Sequence, residues 1–398
     1  MFVYFFIMKN KYNIQSNILV SRVHNGENTR SMIDLMKQSK KSIIVADPFN
    51  RVNREGYPIG HYVNFYRDMH QVLSKKYRVI IACSKEYQQY ISADYITISS
   101  NQNIISTNIF YKLKEYINVY RTIKRILKNK VNNIIFESSF FLIIIISIIL
   151  SRTNNKKIFL VTYIDYITGR SIKNRIKNIL YKIAKNKISG IISSDNNIST
   201  QYKINTLIIP DYFGRKVCRN ININKSYKYD ICMLGVIRDK HKEVERIIEL
   251  YYKTNIKLII AGEFYDKNRY DDIITMSNKS DNIEIINRYI TEEIYNNILE
   301  DSRFVILPYN TNKYQSSGIY YEALLKLKPL LVSSAPFFEN VEKYGLGYNY
   351  NNLPQDPSEL LRDMDIYRKL QNNIYEYIGK LQSESESKVL AFFNEAIG

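Results

Sequence analysis

Short runs of apolar residues alternate with longer amphipathic segments along most of the chain. Each short run is continuously apolar, a pattern typical of strands that are covered on both faces of a parallel sheet. The longer segments repeat their apolar positions every three or four residues, which predicts helices. This alternation of strands and helices predicts an α/β fold built from doubly wound parallel sheets.

The first half of the chain contains one complete series of these elements. The predicted strands are Ser42–Asp47, Arg78–Cys83, Tyr95–Ser99, Asn133–Phe136, Lys157–Thr162, Gly190–Ser193 and Thr206–Ile209. The predicted helices are Tyr62–Lys75, Asn108–Lys130, Ser139–Ser151 and Ile172–Asn186. The longest apolar run, Phe140–Leu150, is much shorter than the roughly 20 residues that cross a bilayer, so we expect a buried helix there.

The same pattern restarts in the second half. The predicted strands are Tyr229–Leu234, Lys257–Ala261, Ile283–Ile286, Phe304–Leu307 and Leu330–Ser333, and the predicted helices are Lys242–Lys253, Glu292–Glu300 and Ile319–Leu327. We therefore expect two Rossmann-like domains, at 41–209 and 229–374, that face each other across a cleft. The remaining parts are an N-terminal extension at 1–40, a linker at 210–228 and a C-terminal helix at 375–398.

Charge distinguishes the two halves. The 398 residues carry a formal charge of +19. Residues 1–210 hold 32 Lys and Arg against 11 Asp and Glu, a net of +21, whereas residues 211–398 hold 25 against 27, a net of −2. Such asymmetry indicates a polyanionic partner of the first half, which can be nucleic acid, an anionic membrane or a phosphorylated substrate. Because no nucleic-acid-binding motif is present, the membrane is favoured.

Two predicted helices concentrate this basic charge. In 170–187, one helical stripe of isoleucines (Ile172, Ile176, Ile179, Ile183) is surrounded by seven Lys and Arg, and 108–130 carries another seven. In one interpretation the stripe packs on the sheet and the cations are only solvated. In the other the isoleucines still point inward while the cations face lipid, where each contributes about 1 kcal/mol.

Several simpler features exclude other classes of protein. Three separated cysteines (Cys83, Cys218, Cys232) form no CxxC pair, which argues against a disulfide framework or a zinc cluster and fits a reducing cytoplasm. The first eight residues, MFVYFFIM, lack a basic leader and a cleavage site, so they predict an edge strand or a shallow interfacial anchor instead of a signal peptide. Asp363 and Asp365 spell a DxD motif, but they lie in a helical pattern that points them to different faces, so we expect no metal site.

Candidate chemistry begins where the strand before Pro308 ends. A polar loop leads to Ser316, Ser317 and Gly318, which open a helix, and Glu322 follows one turn later. Free N–H groups and the positive end of the helix dipole suit a phosphate there, and Gly318 permits close approach. Glu322 lies on the same side as Gly318, where a carboxylate suits a sugar diol. The alternative interpretation is an ordinary capped helix with a solvated glutamate.

A second candidate segment follows the strand Tyr229–Leu234. Arg238, Lys240 and Lys242 crowd the loop after Gly235, at the start of a predicted helix. Cations oppose the dipole at a helix N-terminus, so a bound anion would offset this cost. The alternative is a solvated charge run.

Together these segments resemble the donor-binding domain of GT-B glycosyltransferases of the retaining family 4 type. The resemblance covers about Tyr229–Asn352 and rests on the ordered segments LGVIRDKHKEVERII, LIIAGE, ILPYNTNKYQSSGIYYEALLKLKPLLVS and YGLGY. It implies that Arg238 and Lys242 bind the donor diphosphate, with Lys240 or His241 as alternatives for the pair. It further implies donor contacts at the following positions: Gly235, Gly262, Ser316, Ser317, Gly318 and, through the ribose, Glu322.

The first half resembles the acceptor domain of the same family. Gly60 lies in a glycine-bearing loop that would close over the donor phosphate, and His61 follows it. His61 and Asp165 are the candidate catalytic residues, although a lone histidine is also compatible with a structural role. The sequence departs from the family pattern at Tyr314, where many members carry a glutamate tied to catalysis.

The sequence thus predicts a GT-B glycosyltransferase that moves a sugar from a nucleotide-sugar to a lipid-linked or growing glycan acceptor in surface polysaccharide synthesis. The resemblance implies retention at the anomeric centre and no metal or other cofactor. We expect it in the cytoplasm, peripheral at the inner face of the cell membrane, with the basic half on anionic lipid and no nucleic acid as partner. The alternatives are a non-catalytic GT-B-like partner subunit of a glycosyltransferase and a nucleotide-sugar epimerase of the same fold.

Overall fold

The computed structural model divides the chain into two units. The first is Met1–Ile209 with Ser387–Gly398, and the second is Pro210–Glu386. The structure describes residues 41–52, 56–58, 62–102, 109–137, 141–153, 155–162, 166–167, 171–195, 197–210, 217, 226–237, 242–310 and 317–398. The predicted extension at 1–40, including its apolar start, lies outside the described residues, as does most of the predicted linker.

The first unit alternates strands and helices as predicted. Its strands are β1 (Ser42–Ala46), β2 (Arg51–Val52), β3 (Arg78–Cys83), β4 (Asp94–Thr97), β5 (Asn101–Gln102), β6 (Asn133–Glu137), β7 (Lys157–Thr162), β8 (Gly190–Ser193) and β9 (Thr206–Ile208). Its helices are α1 (Tyr62–Leu73), α2 (Lys85–Gln88), α3 (Ile109–Leu127), α4 (Phe141–Leu150), α5 (Ile172–Ala184) and α6 (Asn197–Tyr202). The short pair β2 and β5 and the helices α2 and α6 are too short or too polar to be predicted from periodicity.

Seven of these strands form one parallel sheet in the order β4-β3-β1-β6-β7-β8-β9. Successive side chains point to opposite faces of a strand. One face packs Ile44 and Leu160 against α3, α4 and α5 in a single buried cluster. The helix α4 lies between α3 and α5 and contacts both. The long apolar run therefore forms the predicted buried helix, with Ile144, Ile145 and Ile148 fully enclosed.

The second unit repeats the arrangement. Its strands are β10 (Tyr229–Leu234), β11 (Leu258–Ala261), β12 (Ile283–Ile286), β13 (Ser302–Leu307), β14 (Leu330–Val332) and β15 (Gly347–Asn349). Its helices are α7 (Val244–Tyr251), α8 (Lys267–Ser277), α9 (Glu292–Asp301), α10 (Gly318–Leu325), α11 (Glu339–Lys343), α12 (Ser358–Arg362) and α13 (Met364–Ile397). All six strands form a parallel sheet in the order β12-β11-β10-β13-β14-β15. The predicted pair of doubly wound parallel sheets is thus confirmed.

The last helix, α13, begins in the second unit and ends in the first. Its residues from Ser387 onward belong to the first unit, where the ring of Phe393 lies 4.8 Å from that of Phe159 on β7. A methyl group added at Gly190 on β8 would lie 2.6 Å from the ring of Phe392, so this glycine makes room for the helix. The helix is longer than the predicted segment at 375–398.

The isoleucine stripe of α5 does not pack on the sheet. Its four side chains are 49–76% exposed, and α5 contacts the core through Tyr181 and Ala184 on another side of the helix. Both interpretations of this segment expected the isoleucines to point inward, and on that point both are wrong. Separately, among the described helices, none combines the length and apolarity that a bilayer span requires.

Candidate functional site

The two strands at the centre of the second sheet, β10 and β13, lie where the strand order reverses direction. From β10 the chain continues to β11 and β12 on one side, whereas β13, β14 and β15 extend on the other. Ligands of doubly wound sheets bind at this switch point, outside the carboxyl ends of the strands. The loops after β10 and β13 therefore form the candidate site, and an antiparallel bridge between Lys242 and Tyr309 joins them there.

Lys242 is a buried cation at the switch point. Its side chain is almost fully enclosed, and Nζ donates a hydrogen bond of 3.0 Å to the carbonyl oxygen of Leu234, the last residue of β10. Among the described residues no carboxylate pairs with it. Burial without a counter-charge disfavours the ammonium form and lowers the pKa of Lys242 to about 7. Such a group stabilises a bound anion strongly because little water competes for it.

Contacts with nearby residues of the same chain hold Lys242 in place. Its Nζ lies 5.8 Å from the centre of the Tyr309 ring, within the range of a cation–π interaction. The amide of Glu243 donates to the Pro308 carbonyl at 2.9 Å, and Arg269 donates to the Lys242 carbonyl at 2.8 Å. Arg269 is itself held by two hydrogen bonds of 2.6 Å to the Glu245 carboxylate. The ammonium is therefore positioned before any ligand arrives.

Two glycines keep the space beside Lys242 open. Gly235 follows β10 with φ at +89°, a conformation that favours glycine, and a methyl group there would lie 2.8 Å from Cδ1 of Ile319 and 3.5 Å from Nζ of Lys242. Gly262 follows β11, where a methyl group would lie 2.3 Å from the backbone oxygen of Gly235. A side chain at Gly262 would displace the backbone of Gly235, and one at Gly235 would strain the backbone and displace the Ile319 side chain.

The N-terminus of α10 completes the site. Ser317 caps this helix, because its Oγ accepts a hydrogen bond from the Tyr320 amide, and Gly318 is the first helical residue. The Tyr309 hydroxyl lies 3.2 Å from Oγ of Ser317. Glu322 lies one turn further along and is half-buried. The first amides of α10 and the Lys242 ammonium thus meet around Tyr309, an arrangement that can bind a phosphate.

The structure brings together most of the predicted donor-binding residues that it describes. At the carboxyl edge of the sheet, Gly235 lies beside both Gly262 and Lys242, and Tyr309 connects Lys242 to Ser317, which precedes Gly318. Predicted residues outside the described part of the chain are Arg238, Lys240, His241, Tyr314 and Ser316. The donor-binding role of the whole set stays a prediction.

Sequence reasoning missed Tyr309 and Arg269. Tyr309 contacts both Lys242 and Ser317 and therefore links the two predicted segments. Its place directly after the strand and Pro308 was a usable signal, because residues at the carboxyl end of a switch-point strand line the ligand site. Arg269 gives no such signal, since it acts from a separate helix through the Lys242 backbone.

The corresponding edge of the first sheet is held by a buried network. Both carboxylate oxygens of Asp47 accept backbone hydrogen bonds, from Phe49 at 2.9 Å and from Asn50 at 3.1 Å. Burial nevertheless raises the pKa of Asp47 to about 6. Tyr66 donates from its hydroxyl to the Ala82 carbonyl at 2.9 Å and ties β3 to this turn. The predicted residues of this half, Gly60, His61 and Asp165, lie outside the described residues.

The DxD motif serves helix capping. Asp363 lies between α12 and α13, and its Oδ1 accepts hydrogen bonds from the amides of Asp365 at 2.8 Å and Ile366 at 3.0 Å. Asp365 pairs with Arg368 at 3.2 Å. The two carboxylates thus have local partners, although Asp363 interrupts the helix that the sequence pattern predicted there.

Two Rossmann-like parallel-sheet units define the GT-B fold, and solved GT-B glycosyltransferases match this chain. A variant of TarM from S. aureus, solved with fondaparinux, alpha-GlcNAc-glycerol and UDP, is 17% identical with a TM-score of 0.51 over 70% of this chain. The match spans 59% of that protein's length. A glycosyltransferase from Rickettsia africae is 15% identical, with a TM-score of 0.55 and coverage of 90% of this chain and 99% of its own.

The trehalose-6-phosphate synthase OtsA is 9% identical, with a TM-score of 0.58 over 89% of this chain and 98% of its own. No protein-family profile and no curated protein matches the sequence. At these identities the similarity shows the fold alone.

Proposed function

We propose that this chain is a glycosyltransferase that moves a sugar from a nucleotide-sugar donor to a lipid-linked or growing glycan acceptor in surface polysaccharide synthesis. The observation that carries the proposal is the buried Lys242 ammonium at the switch point of a GT-B donor-side sheet, beside a capped helix N-terminus. A nucleotide diphosphate supplies the negative charge that this cation and these amides accommodate.

Each donor-site residue has a defined task in this proposal. Lys242, together with Arg238, binds the diphosphate, and the amides after Ser316 and Ser317 contact the same group at α10. Gly235 and Gly262 let the phosphates approach the strand ends, while Glu322 hydrogen-bonds the ribose. The UDP present in the TarM structure supports a nucleotide ligand for this fold.

The reaction requires stabilisation of the leaving diphosphate. The bond between the anomeric carbon and the phosphate oxygen breaks, the acceptor hydroxyl oxygen forms the new bond, and its proton leaves to a base. Prearranged donors lower the energy of the charge that develops on the leaving group. We propose that Lys242 and α10 supply this stabilisation without a metal, that His61 and Asp165 act near the acceptor, and that the configuration is retained.

We also propose that the reaction takes place at the cytoplasmic face of the cell membrane. The net charge of +21 on residues 1–210 supports this location, because anionic lipid attracts clustered Lys and Arg. A lipid-linked acceptor would be presented at the same surface.

Calorimetry with UDP, GDP and TDP tests the donor site. We expect one of them to bind the purified chain and its affinity to fall at least tenfold in Glu322→Ala and in Arg238→Ala. Glu293→Ala, which removes an exposed carboxylate from the first turn of α9, is the matched control. Unchanged affinity in both site variants would contradict the donor-site assignment.

A turnover assay separates the catalytic proposal from its alternatives. Release of nucleoside diphosphate from a nucleotide-sugar, stimulated by a glycan or lipid-linked acceptor, supports a glycosyltransferase. Conversion of one nucleotide-sugar to another without an acceptor would indicate an epimerase. Binding without any turnover would indicate a non-catalytic partner subunit.

A further inference from the structure

The surface helix α5 exposes a continuous stripe of isoleucines. Ile172 is 76% exposed, Ile176 49%, and Ile179 and Ile183 are each 59% exposed. Isoleucine is among the most frequently buried residues, and a single exposed one is unremarkable. Four in register, within about 60° of the helix circumference at 100° per residue, form an apolar surface that needs a partner.

The described part of the fold does not pack against this stripe. The helix α5 is attached to the first unit by Tyr181 and Ala184, and the Tyr181 hydroxyl donates to the Tyr202 carbonyl at 2.8 Å. Tyr181 lies roughly opposite the stripe on the helix. Within the described residues the isoleucines are therefore left without a packing partner.

Cations flank the stripe on both sides. Lys173, Arg175 and Lys182 are exposed, and none of them forms an ion pair with another described residue. The sequence from Tyr166 to Ser194 contains no Asp or Glu. Lys187 has a separate task, because its Nζ donates to three carbonyls at the end of α4. The surface thus combines apolar side chains with unneutralised positive charge.

The helix α3, on the other side of α4 in the same layer, shares this character. On α3, which packs on the same face of the sheet, Leu113 is 54% exposed, Tyr116 44% and Ile117 41%. Exposed cations at Arg121 and Lys124 continue this helix. Apolar exposure thus recurs on the outward side of the helical layer.

We infer that α5 lies in the interface of an anionic lipid leaflet, with its isoleucine stripe inserted between headgroups and its flanking cations bound to lipid phosphates. An amphipathic helix with this division of residues binds in the membrane plane, and its affinity grows with both buried apolar area and opposite charge. This inference deepens the membrane location in the proposed function, and it replaces attraction by charge alone with insertion at named residues.

Vesicle co-sedimentation of the full chain tests the inference. On vesicles of equal parts phosphatidylglycerol and phosphatidylcholine, the double variant Ile176→Ser with Ile179→Ser should partition about tenfold less than the wild type. Lys173→Gln with Lys182→Gln should lose about 30-fold, because each cation contributes about 1 kcal/mol, and salt should weaken the partitioning of the wild type. The control is Leu250→Ser, an exposed leucine of the second unit, which should partition as the wild type does.

A spectroscopic reporter separates insertion from adsorption. The chain contains no tryptophan, so Ile179→Trp places a single indole on the stripe and Leu250→Trp places one on the second unit. With the same vesicles, emission of Ile179→Trp should shift to the blue and be quenched by brominated lipid, while that of Leu250→Trp stays unchanged. An unshifted and unquenched Ile179→Trp on bound protein would overturn insertion.

Two further outcomes decide against the inference. If the wild type self-associates without lipid and Ile176→Ser with Ile179→Ser makes it monomeric, the stripe is an interface between copies of this chain. If all variants partition equally, the stripe has no membrane role. Lys242→Met should bind vesicles as the wild type does, so failure of the donor-site proposal and failure of this one are distinguishable.

Discussion

Two buried lysines lie at opposite ends of the strands of the second sheet. They differ in the number of hydrogen bonds that their ammonium groups donate. Lys328 donates hydrogen bonds to the carbonyls of Glu300, at 3.0 Å, and Ser302, at 2.6 Å, at the start of β13. Among the described residues, Lys242 donates only to the Leu234 carbonyl, at the end of β10. Since β10 and β13 are parallel, the first lysine lies at the amino edge of the sheet and the second at the carboxyl edge.

An ammonium group has three N–H donors and is costly to bury unless they are used. Lys328 uses its donors within the fold and also lies 4.7 Å from the ring of Tyr227. Within the part of the chain that the structure describes, Lys242 uses one of its donors, at the edge where doubly wound sheets bind ligands. The difference supports the proposal that Lys242 binds an anion, whereas Lys328 serves the fold.

The largest expected effect is on nucleotide affinity. Lys242→Met keeps an unbranched stem and removes the charge, and it should weaken UDP binding about 100-fold, because losing a buried charged partner costs about 2–5 kcal/mol. Lys328→Met should bind UDP like the wild type. Calorimetry on both variants makes the comparison, and equal affinities would remove the distinction between the two lysines.

For the free energy of unfolding, we expect the opposite order, with the larger loss in Lys328→Met. Lys328→Met loses two charge-assisted hydrogen bonds, offset in part by removal of a buried charge, and should lower the free energy of unfolding of the second unit by about 2 kcal/mol. Lys242→Met should not lower it, since the ammonium it removes is poorly satisfied. Urea unfolding followed by circular dichroism measures both, and greater destabilisation in Lys242→Met would contradict the assignment.

The difference in stability between the wild type and Lys242→Met should depend on pH. The pKa of Lys242 is lowered by burial from 10.5 to about 7, so the unfolded chain binds more protons between these values. Relative to Lys242→Met, the wild type should therefore gain stability as pH rises from 7 to 10.5 and lose it as pH falls back to 7. Unfolding curves at pH 7 and pH 9 check the sign.

A smaller effect, about tenfold in UDP affinity, is expected from Gly235→Ala. The left-handed backbone and the nearby Ile319 side chain oppose a methyl group there, so the turn at Gly235 or the Ile319 side chain must shift beside Lys242. Gly379→Ala is the control, because that glycine lies within α13 with open space beside it and should gain about 0.5–1 kcal/mol of stability. Normal UDP binding by Gly235→Ala would show that the diphosphate does not come close to the backbone at this position.

The smallest effect is on the pH profile of binding. With a free-state pKa of about 7 for Lys242, the protonated fraction falls about fivefold between pH 7 and pH 8, and UDP affinity should follow. Binding near pH 7.5 should take up protons, seen as a dependence of the calorimetric heat on the ionisation enthalpy of the buffer. A flat profile would show that the ammonium is not the group that binds the diphosphate.

Much of the fold was predictable because strands buried on both faces of a parallel sheet have continuously apolar sequences. The strand Arg78–Cys83 and the helix Phe141–Leu150 are examples in which length and composition suffice. The orientation of α5 was not predictable, since its stripe of isoleucines and its second apolar side around Tyr181 both satisfy helical periodicity. In the structure the side with Tyr181 packs on the core, and the Tyr181 hydroxyl donates a buried hydrogen bond.

The site was predictable as segments but not as an arrangement. The small residues at 316–318 and the cation at Lys242 stand out in sequence, yet the contact between Tyr309 and Ser317 depends on how two loops meet in space. Similarly, the support from Arg269 comes from α8, whose weak amphipathicity hides it. Local pattern therefore predicted the segments of the candidate site, and the tertiary structure shows how the described ones lie relative to each other.

The course of α13 has a consequence for synthesis on the ribosome. Domains generally fold in order as the chain emerges, with the N-terminal one first. Here the rings of Phe392 and Phe393 that cover Phe159 are made only after the entire second unit. Part of one sheet face of the first unit therefore stays uncovered until the end of α13 has been synthesised. Chaperone dependence during translation should be greatest before that point.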